Sequence, residues 1–403
     1  MASAIADAMA GPVEGRSTQV TQKFLKQGNW IDYFSPYTPW FQHHWNVYQR
    51  HAPAGTFTDD TRLRLMMSQF IIDNAKSRLT KLQLAKDIFS QYFSALQHFR
   101  KIDDKWKAGS AEAESIRRER FLHLRFCWEM AKTATEVIVP PEFYSPPYER
   151  INDKENYPDY CDQWHLEPVA PQKITENIKS SYHYDTYARG EEMPLGLIAL
   201  LPFAIYFPGR PKEAFHYIRE IDFFDIKNAW LYPAIAVALI ADLLGGKNWQ
   251  QTIDTALEKG LAKYVHTASS PALLEIQNGI EKAIVIAREH KKHSGIISRK
   301  EATSFIFSLH QAFGKNDTHL CTPQEMLFVP VALVEYAQDD LDFVIELGVN
   351  YGRDNDTAAS IAAAIAGACR SSKSLNRAWI KVVANANRQV DIKNLAEKLC
   401  QDN

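Results

Sequence analysis

Apolar residues recur at spacings of three and four along most of the chain, the pattern of helices that bury one face. The runs 62–75 (RLRLMMSQFIIDNA), 82–99, 111–131 and 254–264 each carry it. Two stretches are apolar almost throughout. Residues 195–207 are broken by Pro202, and residues 229–241 are broken by Pro233 and closed by Asp242. Both are shorter than the roughly 20 apolar residues of a membrane span, so they predict buried core helices. Alternation of apolar and polar residues is scarce. Only 135–139 predicts a short strand, and it runs into Pro140-Pro141, which cannot continue a ladder. The pattern therefore predicts an all-α protein.

One segment has neither period. Residues 140–171 hold seven of the chain's 19 prolines together with Tyr144, Tyr148, Tyr157, Tyr160 and Trp164. Loops of this length are uncommon in compact proteins and commonly serve as lids or spacers; the aromatic content favours a packed lid, and aromatics packed on the domain surface are an equally good reading. No repeat of solenoid period is present.

Composition narrows the function classes. The chain has 403 residues, 46 Lys and Arg against 48 Asp and Glu, and a net charge of -2. Such a balance gives no broad positive field for nucleic acid. The five cysteines, at 127, 161, 321, 369 and 400, are odd in number, widely spaced and without a CxxC pair. They predict neither a disulfide framework nor a zinc site, and fit a reducing, cytoplasmic compartment. The opening MASAIADAMAG lacks a basic start and is interrupted by Asp7, which argues against a cleaved signal peptide. Only six residues precede Asp7, so the first helix is truncated or the chain begins further upstream.

Two short segments share an unusual composition. Thr58-Asp59-Asp60-Thr61 and Asp354-Asn355-Asp356-Thr357 each stand directly before a helix. Either alone is explained by capping, because Asp, Asn and Thr satisfy and complement a helix N-terminus. Together, if the two helix starts converge, they place four carboxylates and two hydroxyls in one small volume. Carboxylates about 4 Å apart repel by about 4 kcal/mol per pair at an effective dielectric near 20, a cost that cations remove. Oxygen-only donors suit Mg²⁺ or Mn²⁺ rather than Zn²⁺, and four carboxylates suit two ions.

These residues resemble the ADP-ribosylglycohydrolase family, which carries a TDDT motif near the N-terminus and a GxDxDT motif near the C-terminus, followed by a helix rich in alanine and glycine. Here that helix supplies Ala358, Ala359, Ala362, Ala363, Ala366 and Gly367, small residues that let a neighbouring helix come close; Ala363 stands where the family usually has Gly. The segment ADAMAGPVEGR resembles the family's opening GDxxGxPxE, with Asp7 on its aspartate and Glu14 on its glutamate. Met193 to Leu197 lies at the family's central apolar helix, and residues 331–351 resemble the helix leading to the second motif.

The resemblance implies a compact orthogonal multi-helix bundle in one domain, since motifs from both ends must meet, with about residues 100–180 as an insertion. It implies two Mg²⁺ or Mn²⁺ ions on Thr58, Asp59, Asp60, Asp354, Asp356 and Thr357, with Glu14 and Asp356 as catalytic carboxylates. It further implies cleavage of a glycosidic bond at C1 of a ribose, with an ADP-ribosylated protein or a ribosylated small molecule as partner and no nucleic acid or membrane. Two departures touch the ADP half. The family's Asn-Gly-x-x-Met-Arg reads Arg189-Gly190-Glu191-Glu192-Met193-Pro194 here, keeping Gly190 and Met193 as candidate substrate contacts, and a downstream Thr-His reads Ile221-Asp222. Both add acid where a diphosphate is expected, so a related N-glycoside lacking the diphosphate is the alternative substrate, and a non-catalytic ADP-ribose-binding protein the alternative function.

Other features carry less. His43-His44 and His51 beside Trp40 and Trp45 read as packing, Cys161 and His165 lack an orienting third group, and Arg117 to Arg120 reads as a solvated helix face.

Overall fold

In the computed structural model, residues 1–37, 52–74, 77–88, 90–91, 194–225, 228–258, 271–291, 297–314, 322–337, 340–369 and 374–401 are described. Their elements are α1 (Ala2–Ala10), a 3₁₀ turn (Gly11–Val13), α2 (Thr18–Lys26), α3 (Asp59–Asp73), α4 (Leu195–Ala199), a second 3₁₀ turn (Leu201–Tyr206), α5 (Pro211–Ile221) and α6 (Leu231–Leu244). There follow α7 (Trp249–Glu258), α8 (Pro271–His290), α9 (Arg299–Phe313), α10 (Pro323–Ala337), α11 (Leu341–Tyr351), α12 (Asn355–Ala368), α13 (Arg377–Ala386) and α14 (Ile392–Gln401). Among the described residues there is no strand, and the isolated backbone bridge joins Arg16 to Arg353. The protein is all-α, as the periodicity predicts.

The core is built on helices that are apolar on every side. In α6 every residue from Leu231 to Leu243 is buried, and α10 is buried from Glu325 to Ala337. Each fully buried Leu, Ile or Val contributes about 1.5–3 kcal/mol relative to exposure. Against this centre packs α12, and α1 packs in turn on α12, the most extensive helix pairing among the described residues. The alanines make that possible. A Cβ on Gly348 of α11 would lie 2.6 Å from the Ala359 backbone, and one on Gly367 would lie 3.3 Å from Ala2 Cβ. The first and last thirds of the chain thus meet through residues too small to hold helices apart.

Several boundaries differ from the sequence reading, each for a local reason. Pro233 does not break its helix, because it occupies the first turn of α6, where no intrahelical N–H bond is due. Asp242 does not close that helix either: Lys247 Nζ lies 2.8 Å from its carboxylate and offsets the buried charge, so α6 continues to Leu244. The run 195–207 divides near Pro202 into α4 and a 3₁₀ turn. Residues 331–351 form parts of two helices, α10 and α11, because the Asp340 side chain caps a new start by accepting from Phe343 N–H at 3.0 Å. The predicted strand 135–139, the loop 140–171, the insertion at about 100–180, the helix 111–131, Gly190, Met193, His43, His44, His51, Cys161 and His165 lie outside the described residues. Among the described residues no helix is long and apolar enough to cross a membrane.

Candidate metal centre

Both acidic motifs open a helix, and the two openings face one volume. Thr58 is the N-cap of α3: its Oγ1 accepts from Asp60 N–H at 3.3 Å. Asp354 occupies the N-cap position of α12 yet makes no capping hydrogen bond with its side chain. Capping therefore accounts for Thr58 and leaves Asp354 unexplained.

Asp7 holds the first motif in place. It is fully buried on α1. Its carboxylate accepts from Thr58 N–H at 3.1 and 3.2 Å, from Thr58 Oγ1 at 2.6 Å and from Thr61 N–H at 3.0 Å. Asp7 thus does from another helix what a capping box does within one, satisfying the N-cap and N3 donors of α3. Close approach is needed at the same place, since a Cβ on Gly11 would lie 2.1 Å from Tyr37 Oη and 2.5 Å from Thr58 Cγ2.

Glu14 reaches the second motif through backbone pairing. Gly15 N–H donates to the Arg353 carbonyl at 2.7 Å, and Arg353 N–H donates to the Arg16 carbonyl at 2.7 Å. Gly352 and Arg353 both take positive φ, 74° and 60°. A Cβ on Gly352 would meet Thr21 Oγ1 at 2.1 Å, so glycine is required there on two counts. Arg353 is locked by a bidentate, buried ion pair with Glu325, Nε to Oε1 at 2.5 Å and Nη2 to Oε2 at 3.0 Å. Tyr351 Oη donates to Glu325 Oε1 at 2.7 Å, and the Tyr351 carbonyl lies 2.6 Å from His310 Nε2.

The result is two overlapping groups of carboxylates. Glu14, Asp354 and Asp356 form one, and Asp59, Asp60 and Asp356 the other; within each, one oxygen per residue lies within 4.8 Å of the others. Asp356 belongs to both. Asp60, Asp354 and Asp356 are buried, whereas Glu14 and Asp59 keep partial exposure, so the centre opens to solvent on the Glu14 and Asp59 side. Burial first, and then mutual repulsion with Asp354, Asp59, Asp60 and Asp7, holds the Glu14 carboxyl well above its ordinary range. Burial likewise raises Asp60, against the opposing pull of Arg64, and it raises Asp356, helped by Glu14 and Asp354. The positive ends of α3 and α12 favour negative charge here, but they do not remove the repulsion.

Among the described residues the donor set fits hard divalent cations: four aspartates, one glutamate and the hydroxyls of Thr58 and Thr357, without His or Cys. Thr357 Oγ1 lies 3.3 Å from Asp60 Oδ2.

Two supporting residues were not legible as site residues in the sequence. Ser360 Oγ lies 3.1 Å from Asp60 Oδ1. Arg64 Nη2 lies 3.3 Å from the same oxygen, and Arg64 Nη1 donates to Ser3 Oγ at 2.6 Å. The available signals were slight: a serine within the alanine run, and an arginine four residues after Asp60 on the buried face of α3.

An all-helical protein whose two ends bring an oxygen-only acidic centre to a pair of helix N-termini defines a narrow class. A model of the ADP-ribosylglycohydrolase family matches residues 1–403. The chain belongs to that family and is a glycosidase. Comparison with curated proteins gives no match.

Proposed function

We propose that the chain is a two-metal hydrolase that cleaves the bond at C1 of a ribose and releases ADP-ribose from a modified protein side chain or small molecule. The observation that carries this reading is Asp356, shared by two three-carboxylate groups, which is the arrangement a bridging ligand between two cations requires. The first ion would lie among Glu14, Asp354 and Asp356, and the second among Asp59, Asp60 and Asp356, with Thr58 and Thr357 adding hydroxyl oxygens. Bound there, the ions would orient the ribose hydroxyls and ready a water for attack.

The remaining chemistry belongs to the chain. The C1 bond to the leaving group breaks as oxocarbenium character develops, the water oxygen bonds to C1, and the leaving group takes up a proton. Glu14, at the open side, is the candidate to exchange that proton. Asp356 positions both halves of the centre. Asp7 works behind it as a scaffold. Gly190 and Met193 remain candidate substrate contacts, the chain from 1 to 403 is read as one domain with an insertion at about 100–180, and a cytoplasmic setting fits the cysteine usage.

A second substrate class is favoured by one feature. Asp222 is buried, with Oδ1 accepting from Phe224 N–H at 2.8 Å, and Asp225 Oδ1 accepts from Gly196 N–H at 3.2 Å at the start of α4. A Cβ on Gly196 would lie 2.2 Å from Asp225 Oδ2 and 3.0 Å from Asp222 Oδ2. The resemblance puts Asp222 where a diphosphate is expected, and a carboxylate there disfavours a diphosphate and suits a ribosyl N-glycoside without one. Release of labelled ADP-ribose from a modified protein, with Mn²⁺, Mg²⁺ or chelator, tests the first reading. Metal-dependent release supports it. Release from a nucleoside-like N-glycoside alone supports the second, and release from neither with Mn²⁺ bound refutes both.

A further inference from the structure

Among the described residues, the Arg64 guanidinium sets a fixed positive charge on the α3 side of the centre. Its Nη2 lies 3.3 Å from Asp60 Oδ1, Nη1 donates to Ser3 Oγ of α1 at 2.6 Å, and Nε donates to the Ile198 carbonyl of α4 at 2.9 Å. Three elements therefore grip one buried side chain, which cannot swing away when a cation arrives. An arginine also stays charged in any protein environment.

The two carboxylate groups are consequently unequal. On the α3 side, Asp59 and Asp60 carry two negative charges against one guanidinium, the buried Asp7 acting on Glu14 as well as on Asp60, and the oxygens of Asp60 are further occupied by Ser360 Oγ at 3.1 Å and Thr357 Oγ1 at 3.3 Å. On the α12 side stand Glu14 and Asp354, and the nearby Arg353 is ion-paired with Glu325, so that pair adds no net charge. Asp354 spends none of its side-chain capacity on capping α12.

We propose that Arg64 is a positioning residue that ranks the two cation positions: the Glu14, Asp354 and Asp356 position fills first, and the Asp59, Asp60 and Asp356 position fills second and at least tenfold more weakly. This rests on the two-metal reading above. Arg64 partly does the charge-neutralising work of the second ion, and a cation placed there is opposed by a guanidinium held on the far side of Asp60. At an effective dielectric near 20, repulsion between a divalent ion and a fixed guanidinium a few ångströms away exceeds what a tenfold difference requires. A tenfold difference corresponds to about 1.4 kcal/mol.

Calorimetric titration of the metal-free, full-length protein with Mn²⁺ tests this without recourse to activity. The expected isotherm has two steps separated by at least about tenfold. Asp59→Asn removes the weaker step, and Asp354→Asn removes the tighter. Arg64→Met narrows the gap by strengthening the weaker step, whereas Arg64→Lys, which keeps the charge, preserves the gap. Two equal steps in the unaltered protein overturn the ranking while leaving the two-metal reading intact, as does an Arg64→Met variant whose weaker step is unchanged or weakened further. If Arg64→Met does not fold, as judged by circular dichroism, the aspartate variants decide: loss of the weaker step on Asp354→Asn overturns the proposal. No Mn²⁺ binding by the unaltered protein overturns the two-metal reading itself, and the ranking with it.

Discussion

Replacing Asp7 with alanine separates a scaffold from a metal ligand. The carboxylate satisfies two backbone N–H groups and one hydroxyl, all buried. Each buried donor left unpaired costs about 1–3 kcal/mol. Against that stands the desolvation of Asp7 itself, which outweighs its hydrogen bonds and raises its carboxyl above the ordinary range; the variant recovers this part. The net expectation is a loss of about 2–4 kcal/mol in the metal-free protein. Asp7→Asn keeps an acceptor for one donor but turns an amide N–H₂ toward another, so it falls in between, at about 1–2 kcal/mol. Urea denaturation in chelator reads the midpoint at constant slope. Because Thr58 and Thr61 flank Asp59 and Asp60, Mn²⁺ affinity falls in both variants as the first turn of α3 loses its anchor. A variant with unaltered metal-free stability and abolished Mn²⁺ binding would identify Asp7 as a ligand and refute the scaffold argument.

Three further outcomes follow from the same geometry. The folded state holds Glu14, Asp60 and Asp356 above their ordinary values of 4.5, 3.8 and 3.8, so folding takes up protons between those values and the raised ones. Their contribution to metal-free stability is thus fully present below the ordinary values and is lost as pH rises through the raised ones; comparing the unaltered protein with Asp356→Asn in chelator isolates it, and a difference independent of pH counts against it. Mn²⁺ displaces those protons, so stabilisation by Mn²⁺ grows with pH. Arg353→Met strands the buried Glu325 carboxylate and costs about 3–5 kcal/mol, most of it recovered when Glu325→Leu is added; a double variant no more stable than the single in urea denaturation contradicts this. Glu14→Gln lowers kcat while Mn²⁺ is still bound, and unchanged kinetics would remove Glu14 from the mechanism.

The parts of this protein that are local in sequence are the parts that could be read from it. TDDT and DNDT announce helix starts because threonine and aspartate at those positions do capping chemistry, and α3 and α12 begin where expected. The alanine run states that something packs closely, but not that its partner is α1. Long-range partners were not legible. Nothing in the spacing shows Arg353 pairing with Glu325, or Gly15 donating to the carbonyl of Arg353, and these contacts carry Glu14 to Asp354. Nothing within the run 62–75 marks Arg64, because its partners Ser3 and Ile198 stand on other elements. Asp242 looked like a helix end for the same reason, its neutralising Lys247 lying beyond α6.

Anomalous diffraction from a crystal grown with Mn²⁺ addresses the central claim most directly. Two peaks about 3.5–4 Å apart, both against Asp356, one toward Glu14 and Asp354 and the other toward Asp59 and Asp60, are the predicted result. Manganese bound elsewhere, or no peak between the starts of α3 and α12, would contradict it.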